Sequence, residues 1–215
     1  NLSQLLAQLL APRAGSTIYD PTCGTGSLLL AAYRQSRAEA VDQPPSRLFG
    51  QEISAQTAAL ARINMVLHGV EQASIRTGDT FLAPQFLDGK RLQQFDYVVA
   101  DPPMGLKLDR GVLEALENDR YQRFAYGVPR PFADYAFIQH MVASLNEAGR
   151  AVVLVGRRVL SSSGRDKEVR QALIEADLLE AVISLPGHLL LHTTMPCAIL
   201  VLNRAKPPDL RGKVL

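Results

Sequence analysis

The sequence predicts an α/β domain with a mostly parallel, doubly wound sheet. Short runs of apolar and β-branched residues alternate along the chain with longer segments of helical periodicity, a pattern typical of consecutive strand–helix units. The 215 residues, 47% of them hydrophobic, suffice for one domain with a full core. Acidic residues follow several of the predicted strands, at the edge of a parallel sheet where ligands bind.

The individual elements follow from hydrophobic periodicity and from residues that begin or end helices. The predicted strands cover residues 16–19, 47–53, 73–77, 95–100, 151–155, 181–185 and 198–202. The predicted helices cover residues 2–10, 28–37, 134–145 and 168–176, and one more lies between a Ser54 cap and Gly69. Residues 104–131 are expected to be irregular.

Composition limits the possible functions. A net charge of +2 means that any affinity for nucleic acid must come from a local patch or from a partner. The two cysteines, Cys23 and Cys197, show neither metal-ligand nor disulfide spacing, so we expect a reducing cytoplasmic compartment and no metal. The sequence contains no apolar run of membrane-spanning length. Both chain ends fall inside element patterns, and we expect a longer protein.

The first predicted strand leads into a tight turn, Asp20-Pro21-Thr22-Cys23-Gly24-Thr25-Gly26-Ser27. Glycine there lets the backbone approach a ligand, and the N-terminus of the next helix favours a carboxylate or phosphate. Leu29 replaces the third glycine of a dinucleotide fingerprint, and no nucleotide P-loop motif is present. The acid Asp20 instead favours a ligand with both an amine and a carboxylate, as in S-adenosylmethionine. An ordinary strand–helix turn remains the alternative.

Two further acids end successive predicted strands. Glu52 lies about 26 residues after Gly26, near the position where a ribose-binding acid is expected. Asp79 follows the third strand and could accept a hydrogen bond from an adenine amino group. Each acid alone is equally well explained as a solvated strand end or a turn residue. Together with the glycine turn, they favour a site for adenosine and an amino acid.

The fourth strand ends in Asp101-Pro102-Pro103-Met104, which carries the predicted chemistry. Two prolines fix the backbone and remove two donors, so the carbonyls between them are left to accept hydrogen bonds. An acceptor side chain followed by such a carbonyl can hold both hydrogens of a planar amino group. The nitrogen lone pair then localises and can attack a neighbouring methyl sulfonium in line. A rigid turn at the strand end is the structural alternative.

Several segments in this order resemble the N6-adenine DNA methyltransferases, nearest to the modification subunit of type I restriction-modification systems. They are the turn 20–27, Asn64-Met65-Val66-Leu67-His68-Gly69, Asp101-Pro102-Pro103-Met104, Asp134-Tyr135-Ala136-Phe137, residues 178–186 and residues 196–202. The resemblance covers nearly the whole chain.

The resemblance implies a Rossmann-like S-adenosylmethionine-dependent methyltransferase fold, with a seven-stranded, mostly parallel sheet, an antiparallel last strand and helices on both faces. Residues 1–215 would form a single catalytic domain that methylates a flipped adenine in double-stranded DNA. Specificity and restriction subunits would be its partners. The expected catalytic residues are Asp101, Pro102, Pro103 and Met104. The expected cofactor site comprises Asp20, Pro21, Thr22, Cys23, Gly24, Thr25, Gly26, Ser27, Glu52, Ile53, Asp79 and Thr80.

The chain departs from the family pattern at several positions. Asp101 stands where asparagine is usual, and Met104 replaces an aromatic ring that would stack on the base. Gly156 follows the fifth strand in place of proline, and His192-Thr193-Thr194 replaces a Gly-Thr pair. Two alternatives therefore remain open. One is methylation of another planar amine, on an RNA base or a protein glutamine. The other is a catalytically degenerate subunit that keeps the fold.

Basic and histidine side chains elsewhere carry weaker hypotheses. Residues 104–131 could form a DNA-contacting loop or a solvated mixed-charge loop. The basic residues in question are Lys107, Arg110, Arg120, Arg123 and Arg130. Arg157, Arg158 and Arg165 could contact phosphates, although a polar loop is favoured. The four histidines, His68, His140, His188 and His192, show no catalytic or ligand spacing and are expected to be structural.

Overall fold

The computed structural model describes residues 1–38, 42–187 and 196–215. Across these residues seven strands form one sheet in the order β3-β2-β1-β6-β7-β9-β8. They are β1 (Thr17–Asp20), β2 (Arg47–Glu52), β3 (Ala73–Thr77), β6 (Phe95–Ala100), β7 (Leu145–Gly156), β8 (Leu179–Ser184) and β9 (Cys197–Asn203). A small antiparallel hairpin joins β4 (Leu87–Asp88) to β5 (Arg91–Leu92). The helices are α1 (Leu2–Leu10), α2 (Ser27–Arg37), α3 (Ala55–Leu67), α4 (Arg110–Glu117), α5 (Asp134–Ala143), α6 (Arg158–Ser161) and α7 (Arg165–Glu175).

The sheet is parallel except for its last strand. β9 lies between β7 and β8 and runs antiparallel to both. The other neighbouring pairs of the sheet, from β3 through β7, are parallel. The predicted doubly wound sheet with an antiparallel last strand is therefore confirmed.

Helices cover both faces of the sheet, as predicted. Buried side chains alternate along β7: Val152 and Leu154 join a core with α1, α2 and α3, whereas Val153 and Val155 join a core with α5 and α7. This alternation follows from the two-residue period of a strand. Because both faces are buried, β7 contains the unbroken apolar run that is typical of a central strand.

Strand register brings the predicted site segments to one edge. Asp20 at the end of β1 pairs with Gly50 of β2, and Glu52 at the end of β2 pairs with Thr77 of β3. Asp101 directly follows β6, whose last residue pairs within β7. The acids that follow β1, β2, β3 and β6 therefore share the carboxyl edge of the sheet.

The largest error in a predicted boundary lies between α5 and β7. The helix expected over residues 134–145 ends at Ala143, and β7 begins at Leu145 instead of near residue 151. Leu145 pairs with Phe95, and the register then shifts before the pair Tyr97–Arg150. The extra residues bulge out while the strand continues, and Asn146 holds them by donating to Asp96 Oδ1 at 2.7 Å.

The expectation of an irregular segment over 104–131 is also wrong. It contains α4, which Asp109 caps by accepting from the Val112 N–H at 2.8 Å. Leu116 of α4 and Phe124 join a third, smaller core with Phe81 and Phe137. The segment is thus packed onto the domain near the residues that follow β3.

Sequence periodicity missed the β4–β5 hairpin and the short helix α6. The family departure at His192-Thr193-Thr194, and with it His188, lies outside the described residues. Among the residues that are described, no helix is both long and apolar enough to cross a membrane.

Candidate active site

The turn after β1 is fixed by backbone hydrogen bonds and by two glycines with positive φ. The Cys23 N–H donates to the Gln51 carbonyl at 2.9 Å, and the Gly26 N–H donates to the Cys23 carbonyl at 2.7 Å. Gly24 and Gly26 have φ of 53° and 81°. A Cβ at Gly26 would also lie 2.4 Å from Met65 Cε. Glycine is therefore favoured there by its conformation, and a Cβ would have to displace the flexible end of the Met65 side chain.

Asp20 is a buried acid with an unusual protonation equilibrium. It is 1% exposed, and its Oδ1 accepts from the Thr22 N–H at 2.9 Å. Burial, partly opposed by that hydrogen bond and reinforced by the charges of Asp101 and Glu52, raises the pKa of Asp20 to about 8. Most of the carboxyl is therefore neutral at pH 7, and a cation placed beside it would favour ionisation.

Glu52 connects the first two strand ends. Its Oε2 accepts from the Gly24 N–H at 3.1 Å, and its Oε1 accepts from the Ser54 N–H at 2.9 Å. Both hydrogen bonds come from the backbone, so the carboxylate is held in one orientation. Each oxygen retains a further lone pair that can accept from a ligand hydroxyl.

Asp79 is held in a comparable way after β3. Its Oδ1 accepts from the backbone N–H groups of Phe81 and Leu82 at 2.7 and 3.0 Å. Thr80 donates from Oγ1 to the Pro21 carbonyl at 2.6 Å, which joins this turn to the one after β1. Within the described residues Oδ2 of Asp79 has no hydrogen-bond partner, so this oxygen can accept from a ligand.

Two cavities meet at Asp101 and Thr22. One has a volume of about 220 Å³ and is lined by Glu52, Ile53, Asp79 and Thr80, with Pro21, Phe81, Pro103, Leu106 and Phe137 around it. The other has a volume of about 210 Å³ and is lined by Asp20, Cys23, Gly24, Thr25 and Ser27, together with Leu2, Ser3, Leu6 and Leu28. The first combines acids with apolar walls, and the second surrounds the N-terminus of α2.

Four residues of the second cavity, Leu28 and three from α1, were missed by sequence reasoning. Leu2, Ser3 and Leu6 belong to α1, which the periodicity identified only as an amphipathic helix. Phe81, Leu106 and Phe137 were likewise given no role, although they line the first cavity. A stretch of apolar side chains carries no local signal that separates a cavity wall from a core.

Asp101, Pro102 and Pro103 follow β6 in an arrangement that presents acceptors. Asp101 is exposed to both cavities, and desolvation raises its pKa. Pro102 is buried, and its carbonyl has no hydrogen-bond partner within the described residues. The carboxylate and the unpartnered carbonyl therefore belong to consecutive residues.

Met104 lines neither cavity. Its Sδ lies 3.8 Å from Cys197 Sγ, and it is the nearest side chain to the position that a Cβ on Gly156 would take. The thioether therefore packs on the ends of β7 and β9. This places an apolar, half-buried side chain beside the acceptor pair, without an aromatic ring.

Asp134, which the sequence marked only as part of a family motif, anchors the segment that follows Met104. The Gly105 N–H donates to Oδ1 of Asp134 at 3.4 Å, and Arg158 donates to Oδ2 at 3.2 Å. The Arg158 guanidinium lies 3.6 Å from the centroid of the Phe132 ring. Arg158 is thus partly engaged inside the domain, and Arg165 pairs with Glu168 at 2.6 Å.

The basic residues of 104–131 differ in their surroundings. Arg123 is buried and is therefore excluded as a surface contact for DNA. Arg110 and Arg130 are exposed and pair with Glu114 and Glu117. The mixed-charge interpretation thus describes these two arginines, while Lys107 and Arg120 remain exposed cations.

Two larger hollows lie away from this edge of the sheet. One, of about 720 Å³, is lined by the β4–β5 hairpin and by the residues that precede β6. The other, of about 390 Å³, is lined by polar residues of α1, α2 and α3. Neither gathers the buried acid and unpaired acceptors found around Asp101. Within the described residues, no group of three or more His, Cys, Asp or Glu is placed to hold a metal ion.

The chain matches one family model and is similar to several known proteins. A family model described as N-6 DNA methylase matches residues 1–215. The whole chain is 34% identical to the MjaVIII type I restriction enzyme methylase subunit of Methanocaldococcus jannaschii and covers 37% of that protein. It is also 32% identical over its whole length to the HindI methylase subunit of Haemophilus influenzae and covers 47% of it.

One solved structure is similar to this chain in both fold and sequence. It is the methyltransferase subunit of a type I restriction-modification system from Streptococcus thermophilus, with a TM-score of 0.81 and 31% identity. The similarity covers 95% of this chain and 44% of that one. The chain thus spans less than half the length of each of these three proteins.

Proposed function

The chain belongs to the N-6 DNA methylase family, and we propose that residues 1–215 form the single catalytic domain of an adenine-specific DNA methyltransferase. It would act as the modification subunit of a type I restriction-modification system. One observation carries this proposal: Asp101, with the unpaired Pro102 carbonyl beside it, lies where two cavities meet. An amino group bound there would face ligand atoms that span both cavities.

We assign S-adenosylmethionine to the two cavities. The ligand's ammonium group would pair with Asp20, and the ligand's carboxylate would lie at the N-terminus of α2, where Thr25 and Ser27 present backbone donors. Glu52 would accept from the ribose hydroxyls, and Oδ2 of Asp79 would accept from the adenine amino group. Ile53 supplies an apolar wall for the ring, and Thr80 holds the turn that carries Asp79.

The acceptor pair would prepare the target nitrogen for reaction. Asp101 and the Pro102 carbonyl would each accept one hydrogen of the adenine N6 group, which localises its lone pair. When bound, the cofactor supplies an electrophilic methyl group on sulfur. Pro102 and Pro103 keep the acceptors fixed, so they require little reorganisation as positive charge develops on nitrogen. After transfer, the methylated nitrogen loses its extra proton to water.

The proposed partners follow from the relatives and from charge. The two curated relatives are methylase subunits of type I restriction enzymes, so we assign a specificity subunit and a restriction subunit as partners. The net charge of +2 supports a shared grip on double-stranded DNA rather than binding by this chain alone. A cytoplasmic location follows from the proposed substrate.

Transfer of labelled methyl groups to DNA tests this function. The full-length protein, assembled with its specificity subunit, is incubated with S-[methyl-³H]adenosylmethionine and duplex DNA, and the modified nucleoside is identified by mass spectrometry. We expect N6-methyladenine, and an Asp101→Ala variant should produce none. Transfer to RNA or to a protein glutamine instead would support the second substrate class, and a folded complex that binds the cofactor without transfer would indicate a degenerate subunit.

A further inference from the structure

Arg123 is a fully buried cation that makes hydrogen bonds in several directions. Its side chain is 2% exposed and pairs with Asp119 at 2.7 Å. Nη1 also donates to the Thr80 carbonyl and Nη2 to the Phe81 carbonyl, both at 2.7 Å. The fixed fork of a guanidinium suits such a set of acceptors better than an ammonium would.

The two carbonyls belong to the turn that presents Asp79. On one side of this turn, Oδ1 of Asp79 accepts from the N–H groups of Phe81 and Leu82. On the other side, Arg123 takes the carbonyls of Thr80 and Phe81. The position of the Asp79 carboxylate, which lines the first cavity, is therefore set by hydrogen bonds to Oδ1 and by the contacts of Arg123 with the turn.

A buried histidine extends this contact to β1. Nη1 of Arg123 lies 3.3 Å from Nδ1 of His140, and Nε2 of His140 lies 3.2 Å from the Tyr19 hydroxyl. Burial and the Arg123 charge lower the pKa of His140, so the ring is neutral. A guanidinium only donates, and we therefore assign Nδ1 as the acceptor and Nε2–H as the donor to Tyr19.

We propose that Arg123 is a positioning residue for the nucleoside half of the cofactor, an inference that rests on the proposed function. It touches neither cavity and acts through the backbone of residues 80 and 81. Arg123 lies in the segment that follows Asp101–Met104, so the segment leading away from the acceptor pair also fixes the turn that would bind adenine. The second cavity is built from residues that Arg123 does not contact.

Two ligands separate this role from a general structural role. S-adenosylmethionine would fill both cavities, whereas 5′-methylthioadenosine lacks the amino-acid half and would depend on the first cavity alone. We would measure their Kd values by calorimetry in the full-length protein with Arg123→Gln and Arg123→Lys. Arg120→Gln removes an exposed cation from the same segment and serves as the matched control. Circular dichroism and thermal unfolding would check that each variant is folded.

Arg123→Gln should raise both Kd values by the same factor, about tenfold or more. Arg123→Lys should raise both by a smaller factor, because one ammonium cannot reach both carbonyls and Asp119. In the Arg123→Lys variant, the amide hydrogens of Phe81 and Leu82 should also exchange with solvent faster than in the wild-type protein. Arg120→Gln should leave both Kd values unchanged, and Asp20→Asn should weaken S-adenosylmethionine alone.

If Arg123→Gln does not fold, the Arg123→Lys variant tests the positioning role of Arg123. A folded Arg123→Lys protein with unchanged Kd values and unchanged exchange at Phe81 and Leu82 would overturn the inference. Weaker binding of S-adenosylmethionine alone would also overturn it, because the amino-acid cavity would then be affected. A wild-type protein that binds neither ligand would overturn the proposed function and this inference together.

Discussion

The Gly24 N–H donates to Oε2 of Glu52 at 3.1 Å, which ties the turn after β1 to the end of β2. The bond joins two segments that are 28 residues apart in the chain. It orients a carboxylate toward one cavity and stabilises the glycine turn that borders the other. The two halves of the proposed cofactor site are therefore mechanically linked through one side chain.

Glu52→Gln should weaken S-adenosylmethionine binding about tenfold to a hundredfold. The amide nitrogen of glutamine replaces one of the two carboxylate oxygens and cannot accept, so the bond from Gly24 or the bond from Ser54 is lost. A lost hydrogen bond to a charged group costs about 1.5–3 kcal/mol. Calorimetric titration measures the change in Kd. Glu71→Gln, at an exposed glutamate before β3, is the control and should leave Kd unchanged. An unaltered Kd in the Glu52 variant would contradict the assigned role.

Cofactor binding should release about one proton per site at pH 6.5. The pKa of Asp20 is about 8 in the unbound protein, so the carboxyl is neutral at this pH. The ligand α-amino group is already charged, because its pKa is about 7.7–8.0. Forming the ion pair therefore expels the Asp20 proton, and affinity should rise as the pH increases from 6 toward 8.

Calorimetry in two buffers with different ionisation enthalpies measures this release. Asp20→Asn cannot lose a proton at that position and should bind without the linked release. Equal proton release by the wild-type protein and the variant would assign the proton to another group.

Asp101→Asn should retain most methyl transfer in the assembled enzyme, whereas Asp101→Ala should abolish it. The amide oxygen of asparagine still accepts a hydrogen bond from the target amine, but alanine offers no acceptor. Desolvation raises the pKa of Asp101, so wild-type transfer should fall on acidification as the carboxylate becomes protonated. Asp101→Asn should lack this acidic limb. A variant profile with the same limb would show that a different group titrates.

Met104→Ala should lower the rate of methyl transfer about tenfold without changing the Kd for S-adenosylmethionine. The side chain lines neither cavity and packs instead against Cys197. Its loss should therefore affect the bound base and not the cofactor. Single-turnover rates and calorimetry separate the two effects. Met104→Tyr, which restores the ring of the family, tests in the same assay whether stacking limits the rate.

Alanine at the two turn glycines should destabilise the fold unequally. Gly24→Ala should lower the free energy of unfolding by about 1 kcal/mol, the cost of a positive φ, because nothing lies within 4 Å of the new Cβ. Gly26→Ala must also displace Met65 Cε, the flexible end of a buried side chain, and should cost somewhat more, about 2 kcal/mol. Urea unfolding measures both. Gly111→Ala, at an exposed position of α4, should stabilise the fold, and equal losses at Gly24 and Gly26 would refute the steric argument.

The sheet edge could be predicted because its signals are local. A β-branched run, two glycines and an acid within a few residues mark the end of β1, and Glu52, Asp79 and Asp101 repeat the pattern. The boundary between α5 and β7 could not be predicted, because Leu145 becomes a strand residue only by pairing with Phe95 across the sheet. The residues around Leu145 do not indicate which strand it pairs with.

Arg123 shows the same limit for the site. Beside Asp119 in a stretch of mixed charge, it has the i,i+4 spacing of an ordinary surface ion pair. Its burial depends on carbonyls about 43 residues earlier in the chain. By contrast, α4 does carry local signals, a cap at Asp109 and the apolar spacing of Val112, Leu113 and Leu116, although the segment was expected to be irregular.

The central claim is that the two cavities around Asp101 bind S-adenosylmethionine, and calorimetric titration of this ligand tests it most directly. We predict saturable one-to-one binding that Asp20→Ala weakens strongly and that Asp88→Ala, an exposed acid in the β4–β5 hairpin, leaves unchanged. A folded wild-type protein that binds no S-adenosylmethionine, or that binds it equally well with and without Asp20, would contradict the account.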